Sequence, residues 1–385
     1  MNEDRSARYH KLGRRADIAS TAWSAGLLVC LAATPLSLAL RRVAAAAAAP
    51  LHATLQPFAV VLVCLACLGV VHEVGALPIA FYRSFLLERR YGLSTERIGH
   101  WIRDHAKGAG LGALLSGAGV SLLYAALRLT PEWWWVAAAA GFGVVVVALT
   151  SLAPVLLLPL FFTFRPLARA DLKERLIVLS RHAGVAVADV CEWQVSDRTK
   201  KANAALTGIG RTRRILVSDT LLAGHPDDEI EVILAHELGH QVHHDVWKGI
   251  AIQVIVTGLG FFAASRTLPA LAPRLGWEGP ADAAGLPVLL LSVGVVALAL
   301  LPAVTAASRA MERAADRFAF RLTGNAPAFA AAIERLGTQN LAEERPSRSA
   351  RWLFYTHPPV AERAAAARAW QNAGGCKRNA TLRRL

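Results

Sequence analysis

Hydrophobic and polar positions divide this chain into long blocks. Uninterrupted apolar runs of bilayer-spanning length lie at 18–40, 55–81, 108–128, 134–162, 249–265 and 286–307. A membrane-spanning helix needs roughly 20 apolar residues. The fifth run, at 249–265, is the shortest of the six. The pattern therefore predicts a predominantly α-helical, multi-pass membrane protein with about six transmembrane helices.

The polar stretches between these runs predict the organisation of the chain. Residues 1–17 are expected to form a polar leader, 18–164 a four-span transmembrane block and 249–307 a two-span hairpin. Two hydrophilic segments remain, at 165–248 and 308–385, and the second ends in a basic tail. Within the four-span block, the loop at 82–107 is amphipathic and is expected to lie along the membrane surface.

The segment at 165–248 is predicted to be mixed α and β. Its pattern indicates a helix at 168–183, a strand at 185–195, a hairpin formed by 202–206 and 213–218, and a second helix that opens at Pro226. Asp227, Asp228 and Glu229 lie in the first turn of this second helix, where acidic side chains suit the positive end of the helix dipole. The hairpin follows from two short apolar runs separated by a Thr-Gly turn.

Composition and charge fit a membrane protein. The chain is 54% hydrophobic and only 18% charged, with a formal net charge of +14. Basic-rich and basic-poor loops alternate: five Lys or Arg precede the first apolar run, whereas only Arg41 and Arg42 follow it. The positive-inside rule then puts both termini and the segment at 165–248 on the cytoplasmic side. A contiguous basic face with interleaved aromatic residues is missing, so no nucleic-acid partner is expected.

Two alternatives bear on where the chain resides. A cleaved signal peptide competes with the first span, but the apolar run is too long for one and is followed directly by Arg41 and Arg42. An uncleaved span is therefore preferred. The chain contains 35 Arg against 7 Lys and is rich in Ala, which is typical of a GC-rich bacterial genome. We therefore expect an integral protein of the bacterial inner membrane. The five cysteines are odd in number and do not indicate a disulfide framework.

The stretch at 232–240 carries the clearest chemical signal. It places His236 and His240 four residues apart, with Glu237 between them, inside an apolar stretch of helical periodicity. Residues four apart point from the same helix face, so both imidazoles can bind one ion. Catalytic zinc sites use such ligands and keep a position open for water. The spacing predicts one Zn²⁺ per chain, with Glu237 as the acid that takes a proton from the attacking water.

A third protein ligand is expected from the stretch at 308–316. Glu312 and Asp316 are four residues apart on a probable helix. Glu312 is the candidate third ligand, and Asp316 is the candidate acceptor of an N–H bond from a ligand imidazole. An ordinary solvated helix face is the alternative, in which Arg309 and Arg313 pair with these two acids.

Five blocks of the sequence, taken in order, resemble the type I CAAX prenyl proteases, a family of multi-pass zinc metallopeptidases. These blocks are 203–208 (NAALTG), 213–222 (RRILVSDTLL), 235–240 (AHELGH), 312–316 (ERAAD) and 357–363 (HPPVAER). The resemblance extends from about residue 18 to 370. It implies a large water-filled chamber between the membrane helices, with zinc near its cytoplasmic end.

The resemblance also implies roles for individual residues. Glu312 would be the third zinc ligand and Asp316 the acid behind the ligands. Asn203 and Ala204 would lie on an edge strand that pairs with an extended substrate. His357 would steady the substrate carbonyl or its oxyanion, and Arg363 would support the same region. The residues alone leave other roles open: Asn203 in a turn, His357 as a helix cap, and Arg363 paired with Glu362 or solvent.

Together these features predict a membrane-embedded zinc endopeptidase that is similar to the CAAX prenyl proteases. The two polar segments, at 165–248 and 308–385, are then the catalytic segments and should meet in space. The expected partners are the lipid bilayer and a peptide or protein substrate, lipid-modified or membrane-bound. Two alternatives remain: a membrane-protein quality-control protease of broad specificity, and a catalytically silent membrane scaffold. The intact Glu237 argues against the scaffold, because a purely structural metal site does not need that acid.

Overall fold

The computed structural model describes residues 2–208 and 213–374. The tip of the predicted hairpin and the predicted basic tail at 377–384 lie outside the described residues. In the described part, helices are α1 (Asn2–Ala33), α2 (Leu36–Ala48), α3 (Gln56–Phe81), α4 (Leu87–Arg90), α5 (Ile98–Leu129), α6 (Trp134–Leu152), α7 (Leu158–Phe161), α8 (Ala170–His182), α9 (Asp219–Gly224), α10 (Asp227–Val242), α11 (Asp245–Leu275), α12 (Leu286–Thr323), α13 (Ala326–Gln339), α14 (Arg348–Phe354) and α15 (Val360–Asn372). Strands are β1 (Thr163–Pro166), β2 (Asp189–Gln194), β3 (Ala204–Thr207) and β4 (Arg214–Ser218).

Six helices of the described chain are long and apolar enough to cross a membrane, which confirms the prediction of a predominantly helical, multi-pass protein. They are α1, α3, α5, α6, α11 and α12, of which α3 and α12 are prolonged by adjoining helical turns. Each contacts two others, in the order α1, α3, α5, α6, α11, α12 and back to α1. The membrane helices therefore close into a ring.

The pattern predicted a polar leader at 1–17 that is separate from the first span, but the structure joins the two in one helix. Helix α1 begins at Asn2 and runs without a break to Ala33. The apolar run at 18–40 is instead interrupted at Pro35, where α2 begins. The first half of α1 stays helical because Tyr9 packs with Leu87 and Leu93 in a small buried cluster of its own. This cluster joins two distant parts of the sequence, so the pattern of one segment could not reveal it.

The segment at 82–107, predicted to be a loop, is helical for most of its length. Helix α3 continues through a π-helical turn, Tyr82–Leu86, into α4, and α5 already begins at Ile98. Phe85 and Leu87 are buried against neighbouring elements, so burial of these two side chains stabilises the extension beyond the apolar run.

A four-stranded sheet lies in the first catalytic segment, in the order β1-β2-β4-β3. β3 and β4 pair antiparallel, as the predicted hairpin requires, and β2 runs parallel to β4. β1 was not predicted, because it follows directly on the fourth apolar run. Since β3 pairs only with β4, its other edge is free of strand partners in the described chain.

The two catalytic segments share one hydrophobic core. Leu176 of α8, Ile215 of β4, Leu234 of α10, Phe329 of α13 and Ala364 of α15 are all fully buried in it. The helix that carries the two histidines, α10, packs on α12 and α13 as well as on β3. The segments separated by α11 and α12 in the sequence therefore meet in space, as predicted.

Two glycines allow close approach between helices. A Cβ atom at Gly239 of α10 would lie 3.0 Å from Cα of Ala315 on α12. A Cβ atom at Gly260 of α11 would lie 2.9 Å from Cα of Val293, also on α12. Backbone atoms cannot move aside as a flexible side chain does, so α12 is held tightly on both sides at these points.

We expect Gly260→Ala to lower the thermal unfolding temperature in detergent, because the added methyl group forces α11 away from α12. Overpacking of this kind typically costs about 1–3 kcal/mol. Gly249→Ala is the matched control, since Gly249 lies on the same helix with nothing within 4 Å of an added Cβ. Equal unfolding temperatures for the two variants would contradict the inferred packing.

Candidate metal centre

Helix α10 presents both histidines from one face. It begins after Pro226 and carries three acidic residues in its first turn, which stabilise the positive end of the helix. His236 is only 7% exposed. Because Gly239 has no side chain, α12 approaches this face closely enough to bring Glu312 beside the two rings.

The three predicted metal ligands converge. Nε2 of His236 lies 3.2 Å from Nε2 of His240. Glu312 Oε2 is 3.3 Å from Nε2 of His236, and Glu312 Oε1 is 3.4 Å from Nε2 of His240. In the described chain, His236, His240 and Glu312 each offer one possible ligand atom, and these three atoms all lie within 4.8 Å of one another.

Carboxylates hold the other nitrogen of each ligand ring. Nδ1 of His236 lies 2.9 Å from Oδ1 of Asp316, as the sequence predicted for this acid. Nδ1 of His240 lies 2.9 Å from Oδ2 of Asp245, which the sequence analysis did not select. Such contacts fix the ring orientation and leave both Nε2 atoms for a metal.

Asp245 reaches His240 because the chain reverses between α10 and α11. His244 adopts a left-handed backbone conformation, with φ of 56°, and Asp245 is the first residue of α11. Lys248 donates a hydrogen bond of 2.8 Å to the other oxygen of Asp245. In the sequence, Asp245 stands out only as an acidic residue shortly after the stretch that contains His236 and His240. Acidic residues are also common at solvated helix ends, so this position alone did not indicate a role at the site.

Arg363 belongs to the same buried network. Its Nη2 donates to Oδ1 of Asp316 at 2.6 Å, and its Nε donates to Oδ2 at 3.0 Å. The alternative pairing of Arg363 with Glu362 is not observed, since Glu362 accepts hydrogen bonds from Arg313 and Arg351. A two-point contact of this kind holds the Asp316 carboxylate in a fixed plane.

The donor set fits a divalent metal such as zinc. Zinc bonds of 2.0–2.2 Å in tetrahedral geometry place neighbouring donors about 3.3–3.6 Å apart, close to the three separations observed. Glu312 is 6% exposed, and its Oε2 atom is buried without an aligned hydrogen bond among the described residues. A buried carboxylate oxygen left in this way is stabilised if it coordinates a cation.

Glu237 stands beside this group without being bound by it. It makes no hydrogen bond or ion pair with another described side chain, and it lines a cleft together with His236. Burial raises the pKa of Glu237 above the usual value for a glutamate. A carboxylate with a raised pKa is a stronger base, which suits proton transfer near neutral pH.

The cleft has a volume of about 350 Å³ and brings the remaining predicted residues together. Asn203 and Ala204 line it at the start of β3, and His357 and Arg363 line it from the polar segment at 308–385. His10 of α1 also lines it, which the sequence analysis missed because residues 1–17 were assigned to a leader.

The alternatives for Asn203 and His357 can now be compared with their surroundings. The backbone of Asn203 bonds twice to Ser218, through N to Oγ and through O to N, so it continues the pairing of β3 with β4. Helix α15 is capped at Pro359, not at His357. Nδ1 of His357 instead lies 2.9 Å from Oε2 of Glu312, and its side chain is 62% exposed in the cleft.

Comparison with known proteins gives a consistent result. A model of peptidase family M48 matches residues 166–371, more than half of the chain, and a model of the CAAX prenyl protease N-terminal region with five membrane helices matches residues 2–163. The chain is 33% identical over 224 residues to the uncharacterized metalloprotease YhfN of Bacillus subtilis, an alignment that covers 57% of this chain and 53% of YhfN.

A plant protein and a yeast structure extend this likeness over more of the chain. The chain is 28% identical over 297 residues to the CAAX prenyl protease 1 homolog of Oryza sativa subsp. japonica, covering 76% of this chain and 70% of that protein. The crystal structure of S. mikatae Ste24p superimposes with a TM-score of 0.84 at 22% identity, covering 95% of this chain and 89% of Ste24p. The fold is therefore shared with Ste24p.

Asp245 provides a test of the metal centre. We expect Asp245→Ala to weaken metal binding about 10- to 100-fold, because His240 loses the partner that fixes its orientation. The measurement is the metal content of the purified protein against increasing chelator. Asp228→Ala is the control, since Asp228 lies on α10 but bonds to the exposed side chain of Arg175. Equal chelator sensitivity of both variants would remove Asp245 from the centre.

Proposed function

The chain belongs to peptidase family M48, and we propose that it is a membrane-embedded, zinc-dependent endopeptidase that resembles the CAAX prenyl proteases in its action. One observation carries this proposal. The donor atoms of His236, His240 and Glu312 converge, while Glu237 faces the same cleft with no partner among the described side chains. Three groups are thus available to hold an ion, and a fourth is free to move protons.

His236, His240 and Glu312 are the residues that would hold one zinc ion per chain. Zinc, when bound, polarises the scissile carbonyl and makes water a stronger nucleophile near neutral pH. Imidazole and carboxylate donors favour zinc over the alkaline-earth cations, which prefer all-oxygen sites. Asp316 and Asp245 keep the two rings in the tautomer that leaves Nε2 available.

Glu237 is assigned the proton transfers. It accepts a proton from the attacking water and delivers it to the amine that leaves when the peptide bond breaks. The raised pKa of its carboxylate supports both steps, since the protonated form must persist long enough to donate. Its lack of a salt-bridge partner supports the same role, because a paired carboxylate is a weaker base.

The substrate is proposed to bind as an extended chain along β3. The edge of β3 is free of strand partners in the described part, and Asn203 and Ala204 border the cleft there. An added strand gains main-chain hydrogen bonds whatever its side chains are. This mode presents one peptide carbonyl of the substrate to Glu237 across the cleft.

His357 and Arg363 complete the proposed site from the opposite wall. His357 has Nδ1 beside Glu312 and an exposed ring. In its imidazolium form the ring donates from both nitrogens, from Nδ1 to Glu312 and from Nε2 to the substrate carbonyl or its oxyanion. Arg363 acts on Asp316, and through it on the orientation of His236. Its cationic group also lies 5.6 Å from the ring centre of Phe329, which limits its movement.

The proposed location is the bacterial inner membrane, with both termini and the site on the cytoplasmic side. The alternation of basic-rich and basic-poor loops supports this orientation. The proposed substrates are membrane-associated or lipid-modified peptides and proteins, supported by the likeness to relatives named CAAX prenyl proteases.

Replacement of Glu237 by Gln tests the mechanism. We expect Glu237→Gln to keep its metal and its unfolding temperature but to lower kcat for a reporter peptide about 10²- to 10⁴-fold, since the amide cannot accept the proton. Glu231→Gln is the control, because Glu231 lies on the same helix and bonds outward to Arg175. Cleavage by Glu237→Gln at the parental rate would refute the assigned role.

A pair of peptides tests the substrate class. We expect a farnesylated peptide to be cleaved with at least about tenfold higher kcat/KM than the same sequence without lipid, because each buried CH₂ group adds about 0.8 kcal/mol of binding. The measurement is steady-state cleavage in the same detergent. Equal cleavage of both peptides, together with degradation of a misfolded membrane protein, would favour the broad-specificity protease instead.

A further inference from the structure

One face of α12 carries four polar side chains at helical spacing. They are Thr305, Arg309, Glu312 and Asp316, and all four are buried. Glu312 and Asp316 face the histidines of α10, as described above. Thr305 and Arg309 lie one to two turns earlier on the same face. Their hydrogen-bond partners lie in the segment that leads to His357.

Arg309 is 6% exposed and has no carboxylate partner among the described residues. Its Nη1 donates instead to two main-chain oxygens, that of Arg351 at 2.9 Å and that of Tyr355 at 2.7 Å. The pairing of Arg309 with Glu312 or Asp316, left open by the sequence, is therefore not what the structure shows. A buried guanidinium is costly to desolvate, and hydrogen bonds to these two main-chain oxygens compensate part of that cost.

These bonds cap the end of a short helix. α14 has seven residues, and the last carbonyls of any helix lack partners within it. Thr305 donates to the main-chain oxygen of Trp352 at 2.6 Å, next to the oxygen that Arg309 binds. A helix of this length is not stable alone, and a cation suits its negative C-terminal end. Thr305 and Arg309 thus fix where the chain leaves α14.

The chain that leaves α14 runs directly to the metal centre. Tyr355, the second residue bonded by Arg309, is two positions before His357. His357 then meets Glu312, three residues after Arg309 on α12. One helix therefore holds both the carboxylate and the anchor of the loop that approaches it, so their separation is set by a single rigid element.

We propose that Arg309 is a positioning residue for the reaction, acting through His357. It fixes the end of α14 and the Tyr355–His357 segment that follows at the height on α12 that brings His357 to Glu312 and the cleft. This inference rests on the proposed function, in which His357 contacts the substrate carbonyl. An exposed ring with a single polar contact cannot hold that place unaided, and a displacement of about 1 Å in a catalytic group can lower the rate 10²-fold.

A double-mutant cycle tests this proposal. Cleavage of a reporter peptide is measured for the parent, Arg309→Gln, His357→Ala and the double variant, with zinc content determined for each. We expect Arg309→Gln to lower kcat at least about tenfold at unchanged KM and zinc content. In the His357→Ala background the same change should alter kcat less than about twofold, because residues that act as one unit are not additive.

Two further variants of α12 serve as controls. Arg317→Gln is the matched control, because Arg317 lies two turns beyond Arg309 on α12 and is exposed, so its effect should be the same with and without His357. Arg309→Lys keeps a charged donor and should recover part of the kcat lost in Arg309→Gln. If Arg309→Gln unfolds in detergent, Arg309→Lys and Thr305→Val enter the cycle in its place, since each weakens the cap less.

The outcomes separate the two hypotheses. Multiplicative effects of the Arg309 and His357 changes would overturn the positioning role of Arg309 while leaving His357 in the site. A His357→Ala variant with parental kcat would instead refute the proposed contribution of His357 itself. Loss of zinc from Arg309→Gln at parental stability would also overturn the inference, because Arg309 would then act on the metal ligands and not on the loop.

Discussion

The close contact between helices α10 and α12 is the constraint on which the rest of this protein depends. Each helix carries only part of a metal site, and neither part is stable in a low-dielectric core without the other. The contact at Gly239 and Ala315 leaves no room for a side chain, so the two backbones meet at the distance that the donor atoms require. Helix α12, one of the six helices long and apolar enough to cross a membrane, thus also carries part of the candidate site.

Charge balance around this contact explains why so many ionisable groups are buried together. Glu312 and Asp316 bring two negative charges to the face of α12, and a nearby cation compensates Asp316 through the two-point bond from Arg363. Among the described residues, the polar contacts of the Glu312 carboxylate are with ring nitrogens of three histidines, and a bound cation would complement its charge. Removing any one partner would leave another charge buried and unpaired, which is strongly unfavourable.

Much of this arrangement could be predicted from the sequence, and the exceptions have a common cause. The six spans, the β3–β4 hairpin and the pairing of His236 with His240 follow from periodicity and spacing, which are local properties. Glu312 as the third ligand was indicated by the resemblance to a known family, since its own spacing to Asp316 is also common on solvated helices. The buried Arg309 and the packed first half of α1 were missed because their partners are distant in sequence. Asp245 was missed although His240 is only five residues away, because their contact depends on the chain reversal at His244. A polar residue at a helix end or in a basic leader gives the same local signal whether it is solvated or bound.

The first half of α1 has a consequence for how the protein is made. Within it, Lys201 reaches Tyr9, His10 contacts the main chain at Leu341, and Arg14 bonds to Glu343. During synthesis these N-terminal residues emerge first, yet they wait for more than 300 residues before their last partners leave the ribosome. The wall of the cleft that His10 provides therefore assembles only after Leu341 and Glu343 have been synthesised, and the nascent chain remains without a finished cleft until then.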